Sequence, residues 1–252
     1  MVVVAIIQAR MGSTRFPGKM LKLLGDKPLI WHVVHRVQQA TLVDKVVLAT
    51  SVNKNNKLLV KEVKSYGVDC FVGDENDVLD RFYQCAKKFK AKTIVRVTGD
   101  CPFIDPEIID AVISLFKNNT LDYASNVLPP TYPDGLDVEV FSFAALEKAW
   151  KEAKLQSERE HVTPYIWKNE HIFKRMTHIN NENLSSIRLT VDEEKDLVLV
   201  NTIIKKIGKS DFRLKDIMKV IQENPSFLKI NIGIERNEGY QKSLNQDHVV
   251  KE

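Results

Sequence analysis

The chain is predicted to be an α/β protein with a mostly parallel sheet, on three observations. Short β-branched apolar runs recur at residues 2–7, 45–50 and 93–98 (VVVAII, KVVLAT and TIVRVT). Such runs are too short for helices and fit strands buried on both faces. Between them lie stretches with apolar residues at helical spacing, and strands alternating with amphipathic helices imply right-handed βαβ units. The third observation is size: 252 residues with 44% hydrophobic content suffice for one large domain with a small appendage.

Taken in order, the run 2–7 is the first strand. Pro28 opens a helix to residue 40, with Leu29, Ile30, Val33, Val34 and Val37 on one face; proline suits the first turn, where its missing N–H is not needed. Strand 45–50 is followed by a helix over 56–66 that Gly67 ends, then a short strand at 69–72. Val78, Leu79, Phe82, Ala86 and Phe89 mark a helix over 77–89. After strand 93–98, Ile108, Ile109, Val112, Ile113 and Phe116 mark a helix over 106–118. Three prolines and a glycine then make residues 128–135 a loop. Beyond it the pattern predicts a strand at 137–143, helices at 143–153 and 157–168, strands at 172–179 and 187–191, and helices at 194–207 and 214–223. Ser157 with Glu160 three positions on forms a capping box for the helix at 157. From Pro225 the pattern fades, and residues 237 onward are expected to be weakly ordered, a linker or a partner-contacting tail.

Composition removes several function classes. A net charge of +4 gives no support to general nucleic-acid binding. Cys70, Cys85 and Cys101 are too few and scattered for a disulfide framework and include no C-x-x-C pair for zinc. Reduced thiols in a cytoplasmic protein are the expectation. No apolar run approaches the roughly 20 residues of a membrane helix, and the apolar start lacks the basic residues and cleavage site of a signal peptide.

The chemistry concentrates just after the first strand. Gln8 and Ala9 lead into Arg10, Gly12, Ser13, Arg15, Pro17, Gly18 and Lys19. Backbone N–H groups in a Gly/Ser turn make a concave anion nest. Arginine adds planar donors that match phosphate, and lysine a compact charge. Ligands of such folds sit at the strands' carboxyl ends, so the loop is read as a polyphosphate clamp; a solvated basic loop is the plainer alternative. It matches neither G-x-x-x-x-G-K-[ST] nor G-x-G-x-x-G.

Two acids follow other strands. Gly99-Asp100 ends the run at 93–98, and Asp192 ends the run at 187–191. Each fits magnesium, which prefers one or two carboxylates with phosphate oxygens and water; each also fits a turn or helix cap. Spacing alone does not bring them together. Asp137 and Glu139 share a face if their segment is a strand, either toward a polar pocket or on a solvated edge. Arg159 and His161, with Glu160 between them, are pocket candidates, although Ser157 and Glu160 also serve a purely structural cap. Base recognition needs hydrogen-bonding groups at the base edge; Gln8, Ser51 and Arg81 are the candidates, with Ala9 beside the clamp and Asp77 as base contact or helix cap.

The order Arg-x-Gly-Ser-x-Arg-x-Pro-Gly-Lys at 10–19, the Gly-Asp-x-Pro turn at 99–102 and the Val-Asp-x-x-x-Asp-Leu run at 191–197 resemble the sugar-acid cytidylyltransferases. These are the CMP-3-deoxy-manno-octulosonate and CMP-sialate synthetases, and most closely the spore coat polysaccharide biosynthesis protein F group, with similarity over 1–207. The Asp-Gly-Leu-Asp-Val-Glu run at 134–139 and the 157–165 segment resemble the spore coat branch. The resemblance implies a Rossmann-like nucleotide-diphospho-sugar transferase (GT-A-like) three-layer sandwich with a small antiparallel insertion. It implies one nucleotidyltransferase domain over 1–223, with 127–191 as substrate or lid subregion and 224–252 as tail or linker. It further implies CTP and a sugar or sugar acid as substrates, Mg2+ held by Asp100 and Asp192, and possible homodimers. Arg10, Arg15 and Lys19 would act on the phosphates, Lys19 holding the leaving pyrophosphate, with Gly12, Ser13 and Gly99 lining the nucleotide. Two rivals stay open: a nucleotide-sugar-dependent glycosyltransferase, whose usual Asp-x-Asp turn is here Asp100-Cys101-Pro102, and a non-catalytic nucleotide-binding module.

Overall fold

The computed structural model describes residues 2–250. The first half follows the predicted alternation: β1 (Val3–Gln8), a small hairpin of β2 (Leu23–Leu24) and β3 (Lys27–Pro28), α1 (Leu29–Gln38), β4 (Lys45–Ser51), α2 (Lys57–Ser65), β5 (Asp69–Gly73), α3 (Val78–Lys88), β6 (Thr93–Thr98) and α4 (Pro106–Asn118). The second half adds β7 (Tyr123–Ser125), β8 (Glu139–Ser142), α5 (Phe143–Glu152), α6 (Gln156–His161), α7 (Pro164–Lys168), β9 (Arg175–Thr177), α8 (Glu194–Ile207), α9 (Leu214–Glu223) and α10 (Glu238–Asn245).

One seven-stranded sheet runs in the order β5-β4-β1-β6-β8-β7-β9. β5, β4, β1 and β6 are mutually parallel, and β8 runs antiparallel to both β6 and β7. Alternating residues of β1 feed two cores, as a strand's period of two requires. Val3, Ala5 and Ile7 join the side chains of α1, α4, α8 and α9; Val4 and Ile6 join those of α3, α5 and α7. The result is the expected three-layer sandwich.

The differences from expectation have local causes. Pro164 cannot continue a helix, so 157–168 splits into α6 and α7, with Val162 between them at φ 73°. The helix also begins earlier than predicted. The carboxylate accepting from the N-terminal amides is Glu158, not Glu160, and Ser157 instead bonds Asp247. Residues 187–191 are not a ladder strand; they form one bridge, Arg188 to Asp134. β8 begins at Glu139 and lies inside the sheet, not at a solvated edge. β7, three residues long, is too short for periodicity to mark.

The segment expected to be a weakly ordered tail or linker folds back instead. A 3-10 turn at Pro225–Lys229 leads to α10, which packs on α6, and Leu155 bridges Val249. Polar contacts hold it, so no apolar stripe announced it. No helix among the described residues is long and apolar enough to cross a membrane.

Candidate active site

The site grows from the carboxyl edges of β1 and β6. Gly99 lets them close up: its N–H donates to Gln8 O at 2.8 Å, and a Cβ there would lie 2.6 Å from Ala9 Cβ, closer than atoms can pack. This sets the 8–19 loop beside Asp100. The loop is pinned by Asn56, whose side chain accepts from Met11 N at 2.8 Å, and by Ser13, whose Oγ accepts from Phe16 N.

Lys19 lies buried at the loop's end. Its Nζ donates to Asp100 Oδ2 at 3.0 Å, Asp192 Oδ1 at 2.9 Å and Val191 O at 2.9 Å. The two aspartates, 92 positions apart in the chain, therefore converge on one ammonium. Burial alone would push that ammonium's pKa down, but the two carboxylates outweigh it and hold the pKa up. Burial opposes the ionised Asp100, yet Lys19 and the Thr98 hydroxyl bring it to about 2. The cap readings of both acids drop out. The first turn of α4 is capped by Asp105, and the amides at the start of α8 are met by Asp196, which accepts from Asp192 N and Glu193 N at 3.0 Å. Lys19 differs from expectation. An ammonium with all three donors engaged by protein is a tie between carboxylates, and Arg10 and Arg15 are the accessible cations of the loop.

Arg188 is the centre that sequence reasoning missed. Its guanidinium reaches Asp134 at 2.8 Å, Asp192 at 2.8 Å and Asp196 at 3.1 Å. These acids raise its pKa against the burial that would lower it. Gly135 makes room, at φ 102°, because a Cβ would stand 2.5 Å from Thr190 N. A lone arginine between Ile187 and Leu189 in an otherwise apolar run was the available signal.

Two cavities flank Asp100. One, about 360 Å³, is walled by the 8–19 loop, with Gln8, Ala9, Arg10, Gly12, Ser13 and Arg15 facing Gly99, Arg81 and Glu160. The other, about 300 Å³, is lined by Arg96, Asp134, Asp137, Glu139 and Arg188. Arg15, Thr98, Asp100 and His161 line both. Burial pushes Arg81 down to about 10, still cationic at neutral pH, and its Nε has no partner.

Other predicted residues go elsewhere. Ser51 is buried under the Asn56 amide and lines neither cavity. Asp77 caps α3 by accepting from Asp80 N at 2.9 Å and binds the Arg159 guanidinium. Both therefore join α6 to α3 and stay out of the cavities. Glu139 is held by Arg96, by the Tyr123 hydroxyl at 2.7 Å and by Thr163 Oγ1 at 2.6 Å. Glu160 faces the loop cavity and accepts from Ser243 Oγ.

The C-terminal segment is the second contribution that sequence did not reveal. Arg15 spans Asp192 at 3.1 Å and Glu238 at 2.9 Å, Arg236 binds Asp137, and the Tyr240 ring stands edge-on to His161.

A basic loop and converging carboxylates at the carboxyl edge of this sheet define a Rossmann-like α/β protein of the nucleotidyltransferase type. A family model described as cytidylyltransferase matches residues 4–240. A protein of Methanocaldococcus jannaschii, described as uncharacterized, is 38% identical over 96% of this chain and 99% of its own. The spore coat polysaccharide biosynthesis protein SpsF of Bacillus subtilis is 33% identical over 87% of this chain and 94% of its own. The structure of a cytidylyltransferase from Leptospira borgpetersenii superposes with a TM-score of 0.89 at 34% identity, covering 94% of this chain and all of that one. The chain belongs to the cytidylyltransferase family.

Proposed function

We propose that this chain transfers CMP from CTP to a sugar or sugar acid and releases pyrophosphate, in the synthesis of a surface polysaccharide or glycan. The observation that carries the reading is Arg15 and Asp100 at the junction of two cavities, one walled by a basic glycine loop and the other by polar side chains. The loop cavity takes the nucleotide, with Arg10, Ser13 and the loop amides on its phosphates. Gln8 and Arg81, which both line this cavity, supply donors for the N3 and O2 acceptors of cytosine. The second cavity takes the acceptor.

The acceptor oxygen attacks the α-phosphorus in line; its bond to phosphorus forms as the bond to pyrophosphate breaks. The protein's work is positioning and charge stabilisation. Arg15 neutralises charge that develops between the two substrates, and Arg10 holds the departing phosphates. Lys19 keeps Asp100 ionised and holds Asp192 beside it. That pair is the donor set magnesium takes together with phosphate oxygens and water. Among the described residues no third metal-ligating side chain joins them, so the substrate would complete the shell. Bound there, magnesium would supply charge neutralisation on the phosphates.

The test is incubation of purified protein and Mg2+ with each nucleoside triphosphate and a panel of sugars and sugar acids, with mass detection of products and assay of pyrophosphate. A CMP-linked product with matching pyrophosphate is expected. Transfer of sugar from a nucleotide sugar without pyrophosphate would favour the glycosyltransferase reading instead.

A further inference from the structure

Three carboxylates line the loop cavity: Glu75, Asp100 and Glu160. Glu75 lies 4.0 Å from the Arg10 guanidinium, and Asp100 is tied to Lys19 at 3.0 Å. Glu160 has no such partner. The other cations of this cavity turn elsewhere, Arg15 to Asp192 and Glu238 and Arg81 to the Asp74 carbonyl. Arg159, next in the chain, binds Asp77. His161 supplies no charge at neutral pH, because burial pushes it down to about 4 against the pull of Glu160. A carboxylate without a cation repels any phosphate placed against it. In a cavity that takes a nucleoside triphosphate, Glu160 therefore faces a part that is uncharged and brings hydrogen-bond donors.

The side chain is nonetheless fixed. Ser243 Oγ, on α10, donates to Glu160 Oε2 at 3.0 Å, and His161 Nε2 lies 2.9 Å from the same oxygen. With the hydroxyl proton on the charged acceptor, the stronger one, His161 donates from Nε2 and a chain runs from His161 through Ser243 to Glu160. Oε1 stays open, and a carboxylate has room for several donors. Among the described residues Glu160 joins no cluster of three metal-ligating groups. Its place along α6 says which donors it meets. His161 lines both cavities with Asp100, where transfer occurs, whereas Glu160 and Gln156 line the loop cavity alone. Gln156 stands one helical turn, about 5.4 Å, further from the junction. Leaving the α-phosphorus, a nucleotide presents its ribose first and its base second. Glu160 is thus level with the ribose, and Gln156 with the base.

We propose that Glu160 recognises the ribose of the nucleotide, accepting from its 2′- and 3′-hydroxyls, and that Ser243 of the C-terminal segment positions it. An acidic side chain meets ribose hydroxyls in the same way in dinucleotide-binding folds. The inference rests on the nucleotidyl-transfer reading and assigns the sugar half of its nucleotide site.

The experiment is calorimetric titration of the full chain, with Mg2+, by CTP, 2′,3′-dideoxy-CTP and UTP. Wild type is expected to bind CTP on the order of tenfold to a hundredfold more tightly than the dideoxy nucleotide, as hydrogen bonds to a charged acceptor imply. Glu160→Ala should bring that ratio close to one and leave the ratio of CTP to UTP unchanged, because both carry the same ribose. Glu160→Gln, which keeps the shape and an acceptor for Ser243, is the second variant should the first fold poorly; a neutral acceptor should retain about twofold to tenfold discrimination. Equal binding of CTP and dideoxy-CTP by wild type overturns the proposal. So does a Glu160 variant that weakens both nucleotides alike, as a merely structural role would, or one that alters the ratio of CTP to UTP instead. These outcomes leave CTP binding by the wild type, and so the nucleotide reading, intact. Wild-type protein that binds no CTP would sink that reading and this inference with it.

Discussion

Lys19 shows how one side chain decides the state of two others. It is 6% exposed and holds Asp100 and Asp192 within 3.0 Å of one nitrogen. Asp192 keeps Arg15 and Arg188 if Lys19 is removed, but Asp100 keeps no cation at all. Breaking a buried pair from one side costs about 3 kcal/mol or more, because a charge is stranded. Lys19→Met should therefore lower stability by about that amount in urea unfolding. Lys19→Met combined with Asp100→Asn should regain most of it, since the stranded charge is gone. A loss below about 0.5 kcal/mol, the range of ordinary surface changes, would mean that the tie is not formed in solution. The same reasoning makes Lys19 a poor probe of phosphate binding, because its loss disturbs the acids first. Arg15, half on the surface, is the cleaner one.

At the level of elements, α10 and α6 act as a unit. Truncation after Ile234 removes the Arg236 partner of Asp137, the Asp247 partner of Ser157, and the ring packed on His161. Asp137 can take up a proton when Arg236 is lost, so the larger cost is the Asp247 carboxylate taken from Ser157, about 2 kcal/mol, roughly 4–8 °C in melting temperature for a chain of this size. An unchanged melting temperature would show that the segment does not dock. The pair also carries a pH dependence. His161 has a folded pKa near 4, set by burial with Glu160 opposing, below its ordinary 6.5. Between pH 6.5 and 4 the unfolded chain binds the proton and the folded chain does not, so stability falls as pH drops through that window. The free-energy difference between wild type and His161→Phe in urea should shift by about 2 kcal/mol between pH 7 and pH 5, against the wild type at the lower pH. A constant difference would place His161 in solvent.

At the scale of the whole molecule, what could be read in advance follows the kind of force involved. Apolar periodicity marks β1, β4, β6, α3 and α4 because burial of those faces organises the sandwich, and the loop after β1 is marked by residue types that anion binding requires. The convergence of Asp100 with Asp192 is a tertiary fact that no spacing of 92 positions encodes. Arg188, Arg236 and α10 were hidden for a different reason. They are held by ion pairs and hydrogen bonds between distant polar residues, and polar composition looks the same in a docked segment as in a solvated one. Ser51 and Arg159 were misjudged because position near a strand end or helix start does not reveal which way a side chain turns: one lies under Asn56 and the other against Asp77.

The central claim is that the loop beside Asp100 is a nucleoside-triphosphate site. Calorimetric titration of CTP and of CMP, each with Mg2+, into wild type, Arg15→Ala and Arg15→Lys tests it most directly. Each charge-assisted contact is worth on the order of 1.5–3 kcal/mol. Arg15→Ala should therefore weaken CTP by about tenfold to a hundredfold and CMP far less, and Arg15→Lys should recover only part, because lysine lacks the planar fork. Equal CTP affinity in all three proteins, or wild-type protein that does not bind CTP, would contradict the account.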